Sequence, residues 1–296
     1  MNKTKKQKAM NSKLKNLIVR TVSGVLFVAI MVAGIVGNAR SFALLFTLIT
    51  TLSVWEFTTL MNQREDITIN RFIATAAGGY LFLAMLGFCS GLTPPIVFIP
   101  YLLTIIYLLV SELYLQQPNP ISDWAHTMLA QIYVALPFGC LNVLAFQTDS
   151  VSGQTMYNWL LPMSLFAFLW LNDTGAYCVG SLLGKHKLFP RISPAKSWEG
   201  SIGGAVVVLI AAGIVGYYEN LDHCGTLSLL QWLGFGLTVV VFGTWGDLIE
   251  SLMKRSLGIK DSGNIMPGHG GMLDRFDSSL LAIPAAVVYL YTITLF

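Results

Sequence analysis

Charge is what this chain has least of. Only 11% of its 296 residues are Asp, Glu, Lys or Arg, against 54% hydrophobic residues and a mean hydropathy of +0.65. Soluble domains carry about 25% charged residues. A water-soluble globule of this size is therefore excluded, because it could not cover its surface with polar groups. Cysteine is also sparse: Cys89, Cys140, Cys178 and Cys224 lie far apart and no CxxC spacing occurs. That argues against a zinc site or a disulfide framework and leaves the thiols as core residues. No internal repeat stands out, whereas many transporters are built from paired repeats. Acidic residues are missing from the first twenty positions, where Lys3, Lys5, Lys6, Lys8, Lys13, Lys15 and Arg20 accumulate.

What the chain has in abundance is apolar runs near the length that crosses a roughly 30 Å hydrocarbon core. Nine candidate spans can be marked, at about 17–37, 42–61, 72–91, 96–115, 126–146, 157–172, 200–218, 228–246 and 278–296. The expected fold is an all-α, polytopic transmembrane helix bundle. Its parts would be a basic cytosolic tail at 1–16, amino-terminal spans over 17–150, and carboxyl-terminal spans with cytosolic catalytic loops over 151–296. No small-residue cleavage pattern follows the basic start, so it reads as a tail and first span rather than a signal peptide. Its expected partner is an anionic lipid surface, not nucleic acid.

Lys and Arg accumulate in loops that stay in the cytosol. With the amino terminus inside, the inner segments are 1–16, 62–71, 116–125, 173–199 and 247–277. All Lys and Arg residues except Arg20 and Arg40 then fall in them. The carboxyl terminus is expected outside. Trp124, Trp159, Tyr217 and Tyr218 near span ends suit interfacial anchors. Outer loops are brief, whereas 173–199 and 247–277 are long and rich in Gly and charge, so function is expected at the cytosolic face.

In the second of these loops, Asp247, Glu250, Ser251 and Lys254 recur at i, i+3, i+4 and i+7. If the preceding span runs on as a helix, they share one face. Asp274 and Asp277 are three apart at the start of the last span, where they suit the positive end of a helix dipole. Between the two helices lies Pro267-Gly268-His269-Gly270-Gly271, whose glycines allow positive φ and leave backbone N–H groups free for an anion. Carboxylates flanking a glycine turn, with Lys254, Arg255, Lys260 and Arg275 nearby, are the parts for Mg²⁺ plus polyphosphate. Solvated loop and helix-cap roles stay open for Glu250, Arg255 and Asp261. They suit Asp247, Asp274 and Asp277 less well, since an ionised Asp at a span centre costs on the order of 2.5–3.5 kcal/mol.

The earlier loop carries Asn172-Asp173-Thr174-Gly175, Gly184-Lys185-His186-Lys187 and Arg191-Ile192-Ser193-Pro194-Ala195-Lys196-Ser197. Ser193 and Ser197 can cap the next span, with Pro194 near its first turn. The same hydroxyls with Lys196 would also make a phosphate site at a helix amino terminus. Asp173 ends an apolar run and calls for a cation or base nearby. Glu56 and Glu112 are intramembrane acids suited to interhelical hydrogen bonds or a proton-linked role. The small-residue run Gly200-x-x-Gly203-Gly204 could pack helices within the chain or between two copies as a homodimer.

Taken together, Ser251-x-x-Lys254-Arg255, Lys260-Asp261-Ser262-Gly263, Pro267-Gly268-His269-Gly270-Gly271 and Asp274-Arg275-x-Asp277 resemble the signature of the integral-membrane phosphatidate cytidylyltransferases, or CDP-diacylglycerol synthases. The resemblance extends upstream through Asn172-Asp173-Thr174-Gly175-Ala176-Tyr177 and Ser193-Pro194-x-Lys196-Ser197-Trp198-Glu199-Gly200. Ala195 departs from the Lys or Gly common there. The first 150 residues match only in being apolar. The resemblance implies transfer of CMP from CTP to phosphatidate, giving CDP-diacylglycerol and pyrophosphate, in phospholipid biosynthesis at the cytosolic face of the cell's inner (plasma) membrane. By matching positions it implies catalytic roles for Asp247, Lys254, Asp274 and Asp277. Asp173, Asp247, Asp274 and Asp277 would be metal residues for Mg²⁺ and an optional second cation. Ser193, Lys196, Ser197, Arg255, Lys260, His269 and Arg275 would bind the substrates, CTP and membrane phosphatidate. Two rivals are a CTP-dependent lipid-alcohol kinase and an ion-coupled transporter using Glu56, Glu112 and Asp173.

Overall fold

A backbone in hydrocarbon has no water to satisfy its N–H and C=O groups, so each apolar run must close its hydrogen bonds internally. The chain does this with helices throughout. The computed structural model describes the backbone of residues 2–148, 153–221, 227–263, 265 and 270–295, and the side chains of these except 2–18 and 294–295. Cys224 and His269 lie outside the described residues.

Helix α1 (Asn2–Gly37) carries the basic start into the first span without a break. It is followed by α2 (Ala39–Met61), α3 (Arg71–Cys89), a 3₁₀ turn at Pro95–Phe98 leading into α4 (Ile99–Leu115), and α5 (Pro120–Leu129). A π-helical stretch, Ala130–Ala135, joins α5 to α6 (Leu136–Ala145), so this span begins at Pro120 and not near 126. A short hairpin, β1 (Phe146–Thr148) with β2 (Thr155–Tyr157), leads to α7 (Leu160–Leu183). A second hairpin, β3 (Lys187–Phe189) with β4 (Ser193–Ser197), precedes α8 (Trp198–Asn220) and α9 (Leu229–Ser256). The short α10 (Leu273–Phe276) runs into α11 (Ser279–Leu295). Helix starts are set by side-chain caps: Asn38 with Ser41 for α2, Asn70 for α3, Ser197 for α8, and Ser228 with Gln231 for α9.

Among the described residues, eight helical stretches are long and apolar enough to cross a membrane, and the fold is an all-α polytopic bundle. The ninth expected span, α7, is 24 residues long. The polar Asn172-Asp173-Thr174 in its middle sets it apart from the others. Three further boundaries differ from the sequence expectation. Residues 173–183 are helix, not loop. Pro194 sits in β4, so only Ser197 caps α8. The last span opens with α10 at Leu273, which puts Asp274 in its first turn.

Two kinds of packing hold the bundle. Aromatic rings from early and late spans share one core: Phe46 stacks on Phe166 at 5.7 Å, Phe138 meets Phe276 edge-on at 5.4 Å, and Phe27 meets Phe276 at 5.8 Å. Between α7 and α8 the contact is made by glycine. Gly175 lies over Gly204, Gly200 lies under the Ala176 carbonyl, and Gly203 faces Val179. A close approach of this kind maximises van der Waals contact where lipid offers no hydrophobic drive. The glycine run of α8 is thus used within the chain. Large exposed side chains such as Leu44, Leu48, Leu103, Ile106 and Ile210 form the outer surface.

Candidate active site

The site is assembled where α9 leaves the bundle. The helical stripe expected from spacing is present: Ser251 Oγ donates to Asp247 Oδ1 at 3.1 Å, and Lys254 Nζ stands 3.4 Å from Glu250 Oε2. Lys254 also donates to Asp274 Oδ1 at 2.7 Å, joining α9 to α10. The other oxygen of Asp274 accepts from the backbone N–H groups of Ser262 and Gly271, each at 2.8 Å. One carboxylate therefore ties a helix, a lysine and both ends of the glycine loop.

Asp277 sits at the α10–α11 junction, where its Oδ1 accepts from the Ser278 N–H at 2.6 Å. It comes beside α9 because of Gly246, where a Cβ would stand 2.7 Å from the Asp277 carbonyl and 2.9 Å from that of Ser278. Asp173, Asp247 and Asp277 come close enough to act on one another electrostatically, and Lys196 and Arg275 bear on Asp173 as well. Lys196 is ion-paired with Asp247. Glu250 is fully buried beside Asp277, and neither of its oxygens receives a hydrogen bond.

A cavity of about 330 Å³ opens between α7, β4, α8 and α9. Asp173, Lys196 and Ser197 line it, together with Asn172, Ser201 and Thr244, which the sequence did not single out. Its position explains why Asp173 is tolerated inside a long helix: it lines a cavity beside Lys196 instead of facing lipid. Ser197 has a second duty as the cap of α8, its Oγ accepting from the Gly200 N–H at 3.2 Å. A phosphate entering here would meet the amino-terminal end of a 23-residue helix, a hydroxyl and an ammonium.

The expected residues do not all converge. Ser193 pairs with Phe189 in the hairpin and does not line the cavity. Arg255 is exposed and donates to the Ile259 carbonyl of its own turn at 3.3 Å, and Lys260 is exposed on the following loop. Glu199 accepts from the backbone N–H groups of Lys185 and His186, each at 3.2 Å, and holds the β3–β4 hairpin against α8.

Two residues of the amino-terminal half were not expected here. Tyr133, in the π-helical stretch, has a buried hydroxyl without a hydrogen-bond partner, within electrostatic reach of Glu250, Asp277 and Asp247. Glu56, on α2, accepts from the Ser262 hydroxyl and from the N–H groups of Met272 at 2.8 Å and Leu273 at 3.1 Å. Glu112, the other intramembrane acid, has a buried oxygen without a hydrogen bond and lies near Asp123, away from this network. No pattern in the sequence could have paired Glu56 with residues 206 to 217 positions away.

The residues fit a hard divalent cation. Five carboxylates (Asp173, Asp247, Glu250, Asp274 and Asp277) face three bases (Lys196, Lys254 and Arg275), and the buried Glu250 has the Lys254 ammonium 3.4 Å away but accepts no hydrogen bond. Among the described residues no three His, Cys, Asp or Glu side chains converge on one point at metal distance. Mg²⁺ needs only one or two carboxylates, completing its shell with water and substrate phosphate.

A helix bundle carrying a phosphate-suited cavity and a carboxylate–lysine network at one end defines a membrane-embedded nucleotidyltransferase. The cytidylyltransferase family profile matches residues 18–293, and the chain belongs to that family. A phosphatidate cytidylyltransferase of Haemophilus influenzae is 32% identical over 270 residues, spanning 88% of this chain and 93% of that protein. Similarity is higher over shorter stretches. The Staphylococcus saprophyticus protein of the same name is 47% identical over 133 residues, 44% of this chain and 49% of that one. The Staphylococcus aureus protein is 41% identical over 166 residues, 55% and 57% of the two chains.

Proposed function

We propose that the chain transfers CMP from CTP to phosphatidate, yielding CDP-diacylglycerol and pyrophosphate at the cytosolic face of a bacterial inner membrane. A phosphate oxygen of the lipid attacks the α-phosphorus of CTP, a new P–O bond forms, and the bond to the β-phosphate breaks. The lipid phosphate is already an anionic nucleophile and needs little base catalysis. The chain's task is to bring two anions together and stabilise the departing pyrophosphate, which is positioning and electrostatics. The observation that carries this reading is the convergence of Lys196, Lys254 and Arg275 with the carboxylates of Asp247, Asp274 and Asp173 beside a cavity that Asp173 and Lys196 line.

Lys196 and Ser197 receive a phosphate group in the cavity. Arg275, the exposed Arg255 and Lys260, and His269, by its place in the sequence, neutralise the triphosphate. Asp247, Asp277 and Asp173 would hold Mg²⁺. Asp274 has three of its roughly four lone-pair sites taken by the protein and one left for the ion. Bound there, Mg²⁺ would polarise phosphoryl oxygens and offset the charge that develops on pyrophosphate. The acyl chains reach the site sideways from the bilayer while CTP arrives from water, with the amino terminus on the cytosolic side.

The test is transfer of label from CTP into chloroform-soluble product by the purified chain with phosphatidate and Mg²⁺. Product must form with release of pyrophosphate; release of CDP would indicate a lipid kinase instead. Chelation by EDTA is expected to abolish turnover, and excess Mg²⁺ to restore it. Turnover unchanged after chelation would remove the metal from the reading.

A further inference from the structure

The glycine loop is held from the opposite half of the molecule. The Glu56 carboxylate on α2 is 5% exposed and accepts three hydrogen bonds from one short region: the Ser262 hydroxyl and the N–H groups of Met272 and Leu273. Two of these donors belong to the backbone that turns directly into Asp274. Ser262 closes the circuit, because its own N–H goes to Asp274 and its Oγ accepts from the Asp274 N–H at 3.3 Å. Glu56 therefore reaches Asp274 through a single residue, and Lys254 through Asp274.

The glycines of the loop agree with this arrangement. A Cβ at Gly271 would overlap both the Glu56 carboxylate and the Ser262 hydroxyl, and one at Gly263 would stand 2.8 Å from Glu56 Oε2. Their bareness is explained by the carboxylate lying between them. Gly270, with φ of +83°, supplies a left-handed turn.

We propose that Glu56 is a positioning residue. It acts through the loop: it ties Ser262 to the backbone of Met272 and Leu273 and so fixes Asp274 and the charged groups at the phosphate end of the site. It uses a full carboxylate because three donors converge on it, and charge-assisted hydrogen bonds of this kind are roughly twice as strong as neutral ones. A glutamine in its place would turn an NH₂ group toward a donor. The role rests on the cytidylyltransferase reading for its effect on turnover, but not for its effect on the loop.

Two measurements on the full chain in detergent test it. Hydrogen exchange is expected to rise in peptides covering 262–274 in Glu56→Gln, with α7 and α8 unchanged. In the labelled-CTP assay kcat is expected to fall about 100-fold, the scale of an ångström-sized misplacement, with KM for CTP little altered. A merely structural Glu56 would give a lower thermal midpoint with wild-type kcat per folded molecule, and that result overturns the proposal, as does unchanged exchange in 262–274. If Glu56→Gln fails to accumulate, Ser262→Ala removes one of the three donors and is expected to lower kcat about tenfold. Wild-type kcat in that variant overturns the proposal too. Loss of product from the unmodified chain would overturn the reaction instead, and the exchange result would still decide the role of Glu56.

Discussion

Asp274 accepts a lysine on one oxygen and two backbone N–H groups on the other, so its charge and its shape are both used. Asp274→Asn keeps the shape, removes the charge and leaves an NH₂ group facing either Lys254 or the loop. Turnover is expected to fall at least 100-fold, a typical loss when preorganised electrostatic groups are removed, while membrane insertion and expression persist. Near-normal turnover would remove Asp274 from the site. Lys196 makes a different prediction, because it lines the cavity and balances Asp247. Lys196→Met is expected to raise KM for a phosphate-bearing substrate by about tenfold or more, the loss of one charge-assisted contact. An unchanged KM for both CTP and phosphatidate would show that the cavity binds neither.

At the scale of elements, helix period explains what could be read in advance and what could not. The stripe Asp247, Glu250, Ser251 and Lys254 was legible because a helix brings i, i+3 and i+4 together whatever surrounds it, and α9 does run through to Ser256. The polar residues after Leu171 looked like the end of a span. In the structure α7 continues to Leu183, since a polar turn is tolerated where it lines a cavity. Ser193 and Pro194 matched a helix start equally well on paper, and only the pairing of β3 with β4 decides against it. The closeness of α7 and α8 yields a stability prediction. Gly204→Ala would bring a methyl to 2.5 Å from Asn172 Oδ1 and 2.7 Å from its carbonyl, so the helices must part. Overpacking of this kind costs about 1–3 kcal/mol. A lower midpoint of thermal unfolding in detergent is the expected result, and an unchanged midpoint would mean that the contact can relax.

For the whole molecule, the two halves meet in one aromatic core and in one hydrogen-bonded network, so the site is a property of the full bundle. Composition alone was enough to recognise the bundle, because scarcity of charge over long apolar runs has few other outcomes. The proposed orientation rests on the bias of Lys and Arg and can be tested apart from activity. Arg191→Cys, at the exposed tip of the β3–β4 hairpin and in a background whose native cysteines are serine, is expected to react with a membrane-impermeant maleimide in inverted vesicles. Labelling in intact cells instead would invert the topology and move the site to the other face.

The reach of Glu56 across the chain also bears on how the protein is made. Its partners follow it by 206 to 217 residues. At about 5–20 residues per second, they emerge from the ribosome on the order of 10–40 s after it does. For that interval α2 carries a carboxylate whose three donors do not yet exist, and the site gains its final shape only when nearly all spans have been synthesised. A chain halted before Ser262 would carry α9 and its carboxylates but none of the donors to Glu56, so truncated products are expected to be catalytically silent.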